Sequence, residues 1–233
     1  MNSKYSEIKR RVYLANVALP RAGLVTLTWG NVSEIDRDAG IVAIKPSGVS
    51  YDEMTEDDIV IIDLDGNKVE GELNPSSDTP THLELYRRYP TIGGITHTHS
   101  RYATSFAQAE MKIPCFGTTH ADVFYGDIPC TRRMTEEEIF SEYEKNTGSV
   151  IAETIGDTAE TMPAVIVALH GPFTWGKNAL ASVEASITLE ECAAMAYNTL
   201  TLNKGASMQN ALLEKHYKRK HGKGAYYGQG GKR

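Results

Sequence analysis

Short apolar runs separated by turn residues dominate the pattern of hydrophobic and polar positions along this chain. Such runs predict β-strands, whereas apolar residues that repeat every three to four positions predict helices. The expected strands are residues 24–29, 41–44, 59–62, 68–70, 92–97 and 165–169, and the expected helices are residues 5–18, 79–89, 103–109, 136–144 and 180–202. The first third is rich in strands and has no long helix between them, so we expect antiparallel pairing.

Single residues mark several of the expected boundaries. Pro20 should end the first helix, and Thr135 should cap the helix expected at residues 136–144. Asp65-Gly66 predicts a hairpin turn between two of the strands.

Composition is that of an ordinary globular protein, with 41% hydrophobic and 23% charged residues. A length of 233 residues without a Pro/Ser-rich linker favours one domain, residues 1–233. The three cysteines are widely spaced and match neither a disulfide framework nor a zinc knuckle. With no leader-like apolar segment and no apolar run long enough to span a bilayer, we expect no membrane contact and a reducing cytoplasmic location.

The net charge of −6 argues against nucleic acid as the main partner. Basic residues nevertheless cluster near the C-terminus, at Lys215, Lys218, Arg219, Lys220 and Lys223. This cluster is compatible with a solvated terminus or with a site for an anion such as a sugar phosphate.

Histidines stand at the ends of two expected strands. His97-Thr98-His99 closes one apolar run, and His170 closes another. Alternate residues of a strand point to one face at a spacing of ~6–7 Å, so His97 and His99 can converge on one ion. A single histidine after a strand commonly satisfies a turn. Three convergent histidines with an open position are instead typical of a catalytic zinc site.

A carboxylate and two serines precede the expected helix at residues 79–89. Asp78 is either the N-cap of that helix or a fourth metal ligand, or a carboxylate near the metal. Ser76 and Ser77 are compatible with simple turn chemistry, or with an anion site at the start of the helix.

Further candidates lie in turns. Gly30-Asn31 and Lys45-Pro46-Ser47-Gly48 follow strands and are either ordinary turns or phosphate-binding loops. Asp122 is either a turn residue or a proton carrier. Tyr226-Tyr227 lies in a Gly-flanked basic segment. These tyrosines either only pack against the protein or contribute a phenol group to a functional site.

Seven motifs together resemble the class II aldolase/epimerase family over nearly the whole chain. The least characteristic region is 145–162. The motifs are residues 24–33 (LVTLTWGNVS), 44–49 (IKPSGV), 75–82 (PSSDTPTH), 97–100 (HTHS), 117–122 (GTTHAD), 170–173 (HGPF) and 225–229 (AYYGQ).

The resemblance implies a three-layer α/β/α fold around a largely antiparallel sheet. It implies a C4 homotetramer with zinc sites near subunit boundaries and a C-terminal active-site segment at about residues 214–233. It implies that His97, His99 and His170 bind zinc, with Asp78 as a ligand or charged neighbour. Manganese and cobalt are possible substitutes, because metal availability also decides occupancy.

The resemblance also assigns the remaining site residues. Asp122 and Tyr227 match an acid/base pair, with Tyr227 reaching across from a neighbouring subunit, and His216 and Arg219 match residues that help to hold the substrate. The residues that match the phosphate and substrate site are Gly30, Asn31, Lys45, Ser47, Gly48, Ser76 and Ser77.

Within that family the motifs are most similar to members that interconvert L-ribulose 5-phosphate and D-xylulose 5-phosphate. The implied route breaks and re-forms the C3–C4 bond. Family aldolases that cleave sugar phosphates generally carry Glu where this chain has Asp78. The alternatives are a sugar-phosphate aldolase and a non-catalytic metal-binding protein of the same fold.

Overall fold

The structure, a computed structural model, describes residues 3–221 and 224–226. Within these residues a seven-stranded sheet has the order β4-β3-β2-β1-β5-β7-β6. The strands are β1 (Asn31–Asp36), β2 (Ile41–Ile44), β3 (Val60–Asp63), β4 (Lys68–Glu70), β5 (Gly94–His97), β6 (Ala164–Val167) and β7 (Gly171–Gly176). Each neighbouring pair is antiparallel, as expected.

Helices cover both faces of this sheet. They are α1 (Ser6–Arg21), α2 (Thr79–Arg88), α3 (Arg101–Gln108), α4 (Thr118–Ala121), α5 (Glu136–Phe140), α6 (Tyr143–Ile155), α7 (Ala179–Leu202) and α8 (Asn210–Lys220), with a 3-10 turn at Glu56–Asp58. A mixed α/β fold with an antiparallel sheet is therefore confirmed.

Alternating residues of the strands belong to two separate cores. Val42 and Ile62 pack with α2, α3 and α6 on one face. Ala43 and Ile61 pack with α1 on the other face. Because the strands are buried on both sides, they read in the sequence as continuous apolar runs rather than as alternating ones.

The strand expected at residues 24–29 is wrong. Leu27 has φ +55°, and the amide of Trp29 closes a turn on the carbonyl of Thr26. Leu27 and Trp29 are 75% and 51% exposed, so this β-rich segment forms a loop and pairing begins only at Asn31. Tertiary context here overrides strand propensity.

Two other expectations also fail. Pro20 lies inside α1, which continues to Arg21. The helix expected at 136–144 breaks near Ser141, so Thr135 caps only the short α5, and α6 is an element that the sequence pattern missed. The sequence pattern also gave no element for the short α4 (Thr118–Ala121), and Asp122 follows directly after it.

The pattern also missed β7, and its second residue explains why. Pro172 lacks an N–H group and argues against a central strand. It is nevertheless paired with Ile166, close to the start of β7, where the missing donor matters least. The carbonyl of Pro172 becomes important at the candidate site.

Close backbone contact makes Gly94 essential to this architecture. A Cβ atom at Gly94 would lie 2.3 Å from the carbonyl carbon of Asn178, which precedes α7. We expect Gly94→Ala to lower the free energy of unfolding by about 1–3 kcal/mol or more, because backbone cannot move aside as a side chain can. Urea denaturation measures this change.

Gly117→Ala is the matched control. A Cβ atom at Gly117 meets no atom within 4 Å, and its φ is −146°, which any residue adopts. Equal loss of stability in the two variants would contradict the steric explanation.

Candidate metal centre

Three histidines converge at one end of the sheet. His97 is the last residue of β5, His99 lies two residues beyond it, and His170 lies in the turn between β6 and β7. One ring nitrogen from each lies within 4.8 Å of the others. The Nε2 atoms of His97 and His99 are 3.0 Å apart. His99 lies outside the strand, so its ring is not held at the strand spacing.

The arrangement fits a divalent metal. In a tetrahedral site with metal–nitrogen bonds of ~2.0–2.1 Å, neighbouring ligand nitrogens lie about 3.3 Å apart. His97 Nδ1 is 3.0 Å from the carbonyl oxygen of Pro172, and donation to that oxygen leaves Nε2 as the ligand atom. His170 Nδ1 lies 3.4 Å from the hydroxyl of Tyr143.

Two of these imidazoles are neutral near pH 7. Burial, reinforced by His97, lowers the pKa of His99 to about 4. Burial, reinforced by His97 and His99, lowers the pKa of His170 to about 3. Their ring nitrogens therefore keep the electron pairs that a metal requires.

Asp78 occupies the N-cap position of α2 but makes no side-chain capping bond. Its Oδ2 accepts a 2.6 Å hydrogen bond from Asn31 Nδ2 instead. Burial opposes ionisation, but His97, His82, His170 and the Asn31 bond outweigh it, so the pKa of Asp78 lies below its ordinary value. Among the described residues, the close ligand cluster contains no carboxylate, and Asp78 lies in the lining of the same pocket.

A pocket of about 530 Å³ opens onto the histidines and Asp78. All seven residues matched to a phosphate and substrate site line the same pocket, namely Gly30, Asn31, Lys45, Ser47, Gly48, Ser76 and Ser77. The loop after β2 and the loop before α2 meet through a Pro46–Pro75 bridge. The amide of Ser76 donates to the carbonyl of Lys45 over 3.0 Å, which holds these loops together.

Lys45 and Tyr51 support the wall of this pocket. Lys45 is almost fully buried, and burial lowers its pKa to about 8. Its Nζ donates to the carbonyl of Val49 over 2.7 Å and lies 4.8 Å from the centre of the Tyr51 ring. The Tyr51 hydroxyl lies 2.9 Å from the carbonyl oxygens of both Trp29 and Gly30.

Gly30 has a steric role that its sequence context did not reveal. It has φ +81°, and a Cβ atom there would lie 2.8 Å from the carbonyl oxygen of His97. Only glycine permits this approach of β1 to the strand that carries His97.

Four further residues line the pocket and were missed in the sequence: Thr28, Trp29, Tyr143 and Glu144. The sequence pattern places Thr28 and Trp29 in a strand. Tyr143 and Glu144 begin α6, after a helix break that the sequence did not predict, and no motif marked them. Only the fold brings them to the histidines.

Asp122, His216 and Arg219 form a second cluster that does not line this pocket. Asp122 accepts from Arg219 Nε over 2.9 Å, and His216 Nδ1 lies 3.0 Å from the same carboxylate. Burial opposes ionisation, but Arg219, His216 and Lys220 lower the pKa of Asp122. Tyr227 lies outside the described residues.

The comparisons with known proteins agree with this geometry. The family model described as "Class II Aldolase and Adducin N-terminal domain" matches residues 10–197, and the chain belongs to this family.

Solved structures share the fold over most of the chain. An L-fuculose 1-phosphate aldolase is 27% identical with a TM-score of 0.79, covering 94% of this chain and 97% of that one. YgbL from Klebsiella pneumoniae, described as a putative aldolase/epimerase/decarboxylase, is 19% identical with a TM-score of 0.72, covering 92% and 99%. An L-fuculose-1-phosphate aldolase from Thermus thermophilus is 20% identical with a TM-score of 0.68, covering 88% and 100%.

We expect His97→Asn to weaken metal binding by more than about 100-fold, because the loss of a ligand exceeds the 10–100-fold cost of losing an outer-shell partner. Metal content after dialysis, measured by elemental analysis, checks this. His221→Asn is the control, since His221 contacts the backbone of Asp122 rather than the histidine pocket. Full metal content in His97→Asn would refute the assignment.

Proposed function

We propose that this chain is an L-ribulose-5-phosphate 4-epimerase, which interconverts L-ribulose 5-phosphate and D-xylulose 5-phosphate with a divalent metal. The observation that carries the proposal is one pocket that combines three histidines arranged to hold a metal, the carboxylate of Asp78, and hydrogen-bond donors in its wall that suit a phosphate. An acidic chain with such a pocket suits a small anionic substrate rather than nucleic acid.

The reaction requires more than removal of one proton. The C4 proton of the substrate is not adjacent to the C2 carbonyl, so its removal would leave an unstabilised carbanion. Cleavage of the C3–C4 bond solves this problem and yields a dihydroxyacetone enediolate and glycolaldehyde phosphate. Rotation of the aldehyde and re-formation of the same bond invert C4.

The pocket residues would hold the two fragments during that step. A bound metal would act as a Lewis acid toward the C2 and C3 oxygens. Lys45, Ser47, Gly48, Ser76 and Ser77 would keep the phosphate in place, so that the aldehyde turns without leaving. Asn31 Oδ1 is buried and has no partner among the described residues, so it offers an acceptor to a substrate hydroxyl.

A sugar-phosphate aldolase is the second candidate. The 27% identity to an L-fuculose 1-phosphate aldolase favours it. Asp78 argues the other way, because the aldolases that the motifs resemble generally carry Glu there. A non-catalytic metal-binding protein is the third candidate. The hydrogen-bond donors that line the pocket beside the histidines argue against it, because binding a metal alone does not require them.

Zinc-loaded protein should convert L-ribulose 5-phosphate to D-xylulose 5-phosphate without accumulating free aldehyde. A coupled assay for D-xylulose 5-phosphate, run beside an assay for glycolaldehyde phosphate, tests this. Net aldehyde release would support the aldolase instead. No turnover with the native metal, identified by elemental analysis as zinc, manganese or cobalt, would refute an enzymatic role on this substrate.

The active site is proposed to lie between two subunits of a homotetramer. Within one chain Asp122 is not in the histidine pocket, which supports its use in a neighbour's site. Residues 1–233 would then form one domain whose segment at about 214–233 completes that site. In the described part, Tyr226 donates its amide to the carbonyl of Arg219 over 2.9 Å, which places Tyr226 beside the Asp122 cluster.

Asp122 and Tyr227 would serve as the acid/base pair on opposite faces of the aldehyde, with His216 and Arg219 holding the substrate.

A cytoplasmic location is proposed as well, since none of the three cysteines forms a disulfide. No helix among the described residues has the length and apolarity to cross a membrane.

Lys45 should give phosphate binding a distinctive pH dependence. With a pKa of about 8, its ammonium group is lost as pH rises through 8, whereas an ordinary lysine stays charged to about pH 10. We therefore expect competitive inhibition by inorganic phosphate to weaken about tenfold between pH 7 and 9. Lys45→Arg should flatten the profile over that range, and an unchanged profile in this variant would exclude Lys45 as the titrating group.

Two inactive variants should complement each other if the site is shared. Tyr227→Phe and His97→Asn subunits are mixed in equal amounts, dissociated and reassembled. We expect activity to return at roughly a quarter of the subunit boundaries. These boundaries join an intact metal site to an intact Tyr227. Separately reassembled variants are the control. Verified mixed tetramers without recovered activity would place Tyr227 in its own subunit's site or outside the chemistry.

A further inference from the structure

The short segment that carries His99 has few attachments of its own. His97 and His170 each place Nδ1 near a partner, whereas the His99 ring has no hydrogen-bond partner among the described residues besides His97. The hydroxyls of Thr98 and Ser100, on either side of His99, are buried and have no partner there. The position of His99 therefore depends on how its backbone is held.

One carboxylate holds the chain immediately after this segment. The first turn of α3 presents the amides of Tyr102 and Ala103, which donate to Glu190 Oε1 and Oε2 over 2.8 and 2.9 Å. Ser100 is in the N-cap position with extended backbone, φ −61° and ψ 143°, but makes no capping bond. Glu190, a residue of α7, thus does what the local N-cap residue does in most helices.

The contact joins two backbone amides of α3 to the two oxygens of one carboxylate. A carboxylate at a helix N-terminus combines hydrogen bonds from backbone amides with a favourable interaction with the helix dipole. α7 is itself firmly placed, because Asn178 caps it and Glu34 accepts from the amide of Ala179 over 2.8 Å. Glu190 therefore ties the His99 segment to a long, fixed helix.

We propose that Glu190 is a positioning residue of the metal centre, which holds His99 at ligand distance from His97 by capping α3 from α7. Glu190 belongs neither to the histidine cluster nor to the residues that line the pocket. The inference rests on the proposed function only in so far as the three histidines bind a metal.

Three variants separate this role from general effects. Glu190→Gln keeps the size of the side chain but offers only one acceptor to two N–H groups. Glu190→Ala removes both acceptors and is also made together with Ser100→Ala, because the free Ser100 hydroxyl can turn to cap α3. Glu191→Gln is the matched control, since Glu191 is the next residue and is exposed.

The readouts are metal affinity and metal geometry rather than turnover. The test requires Co²⁺ and Zn²⁺ dissociation constants, obtained by competition with a chromophoric chelator, and the visible absorption spectrum of the Co²⁺ protein. Affinity should fall about 10–100-fold in the Glu190→Ala/Ser100→Ala protein, by the scale for outer-shell partners. Glu190→Gln should lie between that protein and wild type, with an altered Co²⁺ spectrum, and Glu191→Gln should match wild type.

Amide hydrogen exchange shows which residues the substitution affects. It also shows whether the rest of the fold is intact. Faster exchange confined to residues 98–104 in Glu190→Gln supports the proposal. Unchanged Co²⁺ affinity and spectrum in all Glu190 variants, beside a metal-binding wild type, would overturn the role of Glu190 alone. A wild-type protein that binds no Co²⁺ or Zn²⁺ would instead overturn the metal centre, and with it the proposed function.

Discussion

The register of three neighbouring strands is the constraint on which the candidate site depends. His97 lies between Asn31 on β1 and Phe173 on β7. A slip of one residue in either ladder would turn His97 to the opposite face of the sheet. The same register brings the carbonyl of Pro172 to His97 Nδ1 and places His170 beside it. The sheet thus positions His97 and His170, whereas His99 depends on the segment that follows β5. The loops supply the pocket around the three rings.

Burial gives this site its chemical character. His99, His170, Asp78 and Lys45 all line one pocket, and burial lowers the pKa of the two histidines and of the lysine. Burial has the opposite effect on Asp78, whose pKa is lowered by the neighbouring histidines and the Asn31 hydrogen bond. Neutral imidazoles beside an ionised carboxylate favour a cation, whereas the lysine in the pocket wall favours an anion. A polarised cavity of this kind suits a substrate with a carbonyl at one end and a phosphate at the other.

The sequence predicted the residues of the pocket better than the elements that carry them. His97, His99 and His170 were recognisable because an HxH pair and a third histidine close two apolar runs, and Lys45 and Ser76 because their motifs resemble those of the family. The strand pattern misplaces Trp29, and Pro172 masks β7. Tyr143 and Glu144 could not be found, since a helix break near Ser141 places them. The cap on α3 was equally hidden, because Glu190 is far from it in sequence and joins it only through tertiary packing.

The two tryptophans of the chain differ in a way that gives the protein an optical signal of its own. Trp29 stands half-exposed at the pocket, with its ring centre 6.3 Å from that of His99. Trp175 is buried in β7, and its indole N–H donates to the carbonyl of Ala159. We expect emission at longer wavelength to report the environment of Trp29, and emission at shorter wavelength from Trp175 to serve as an internal reference. Events at the histidines are therefore readable in the unlabelled protein by fluorescence alone.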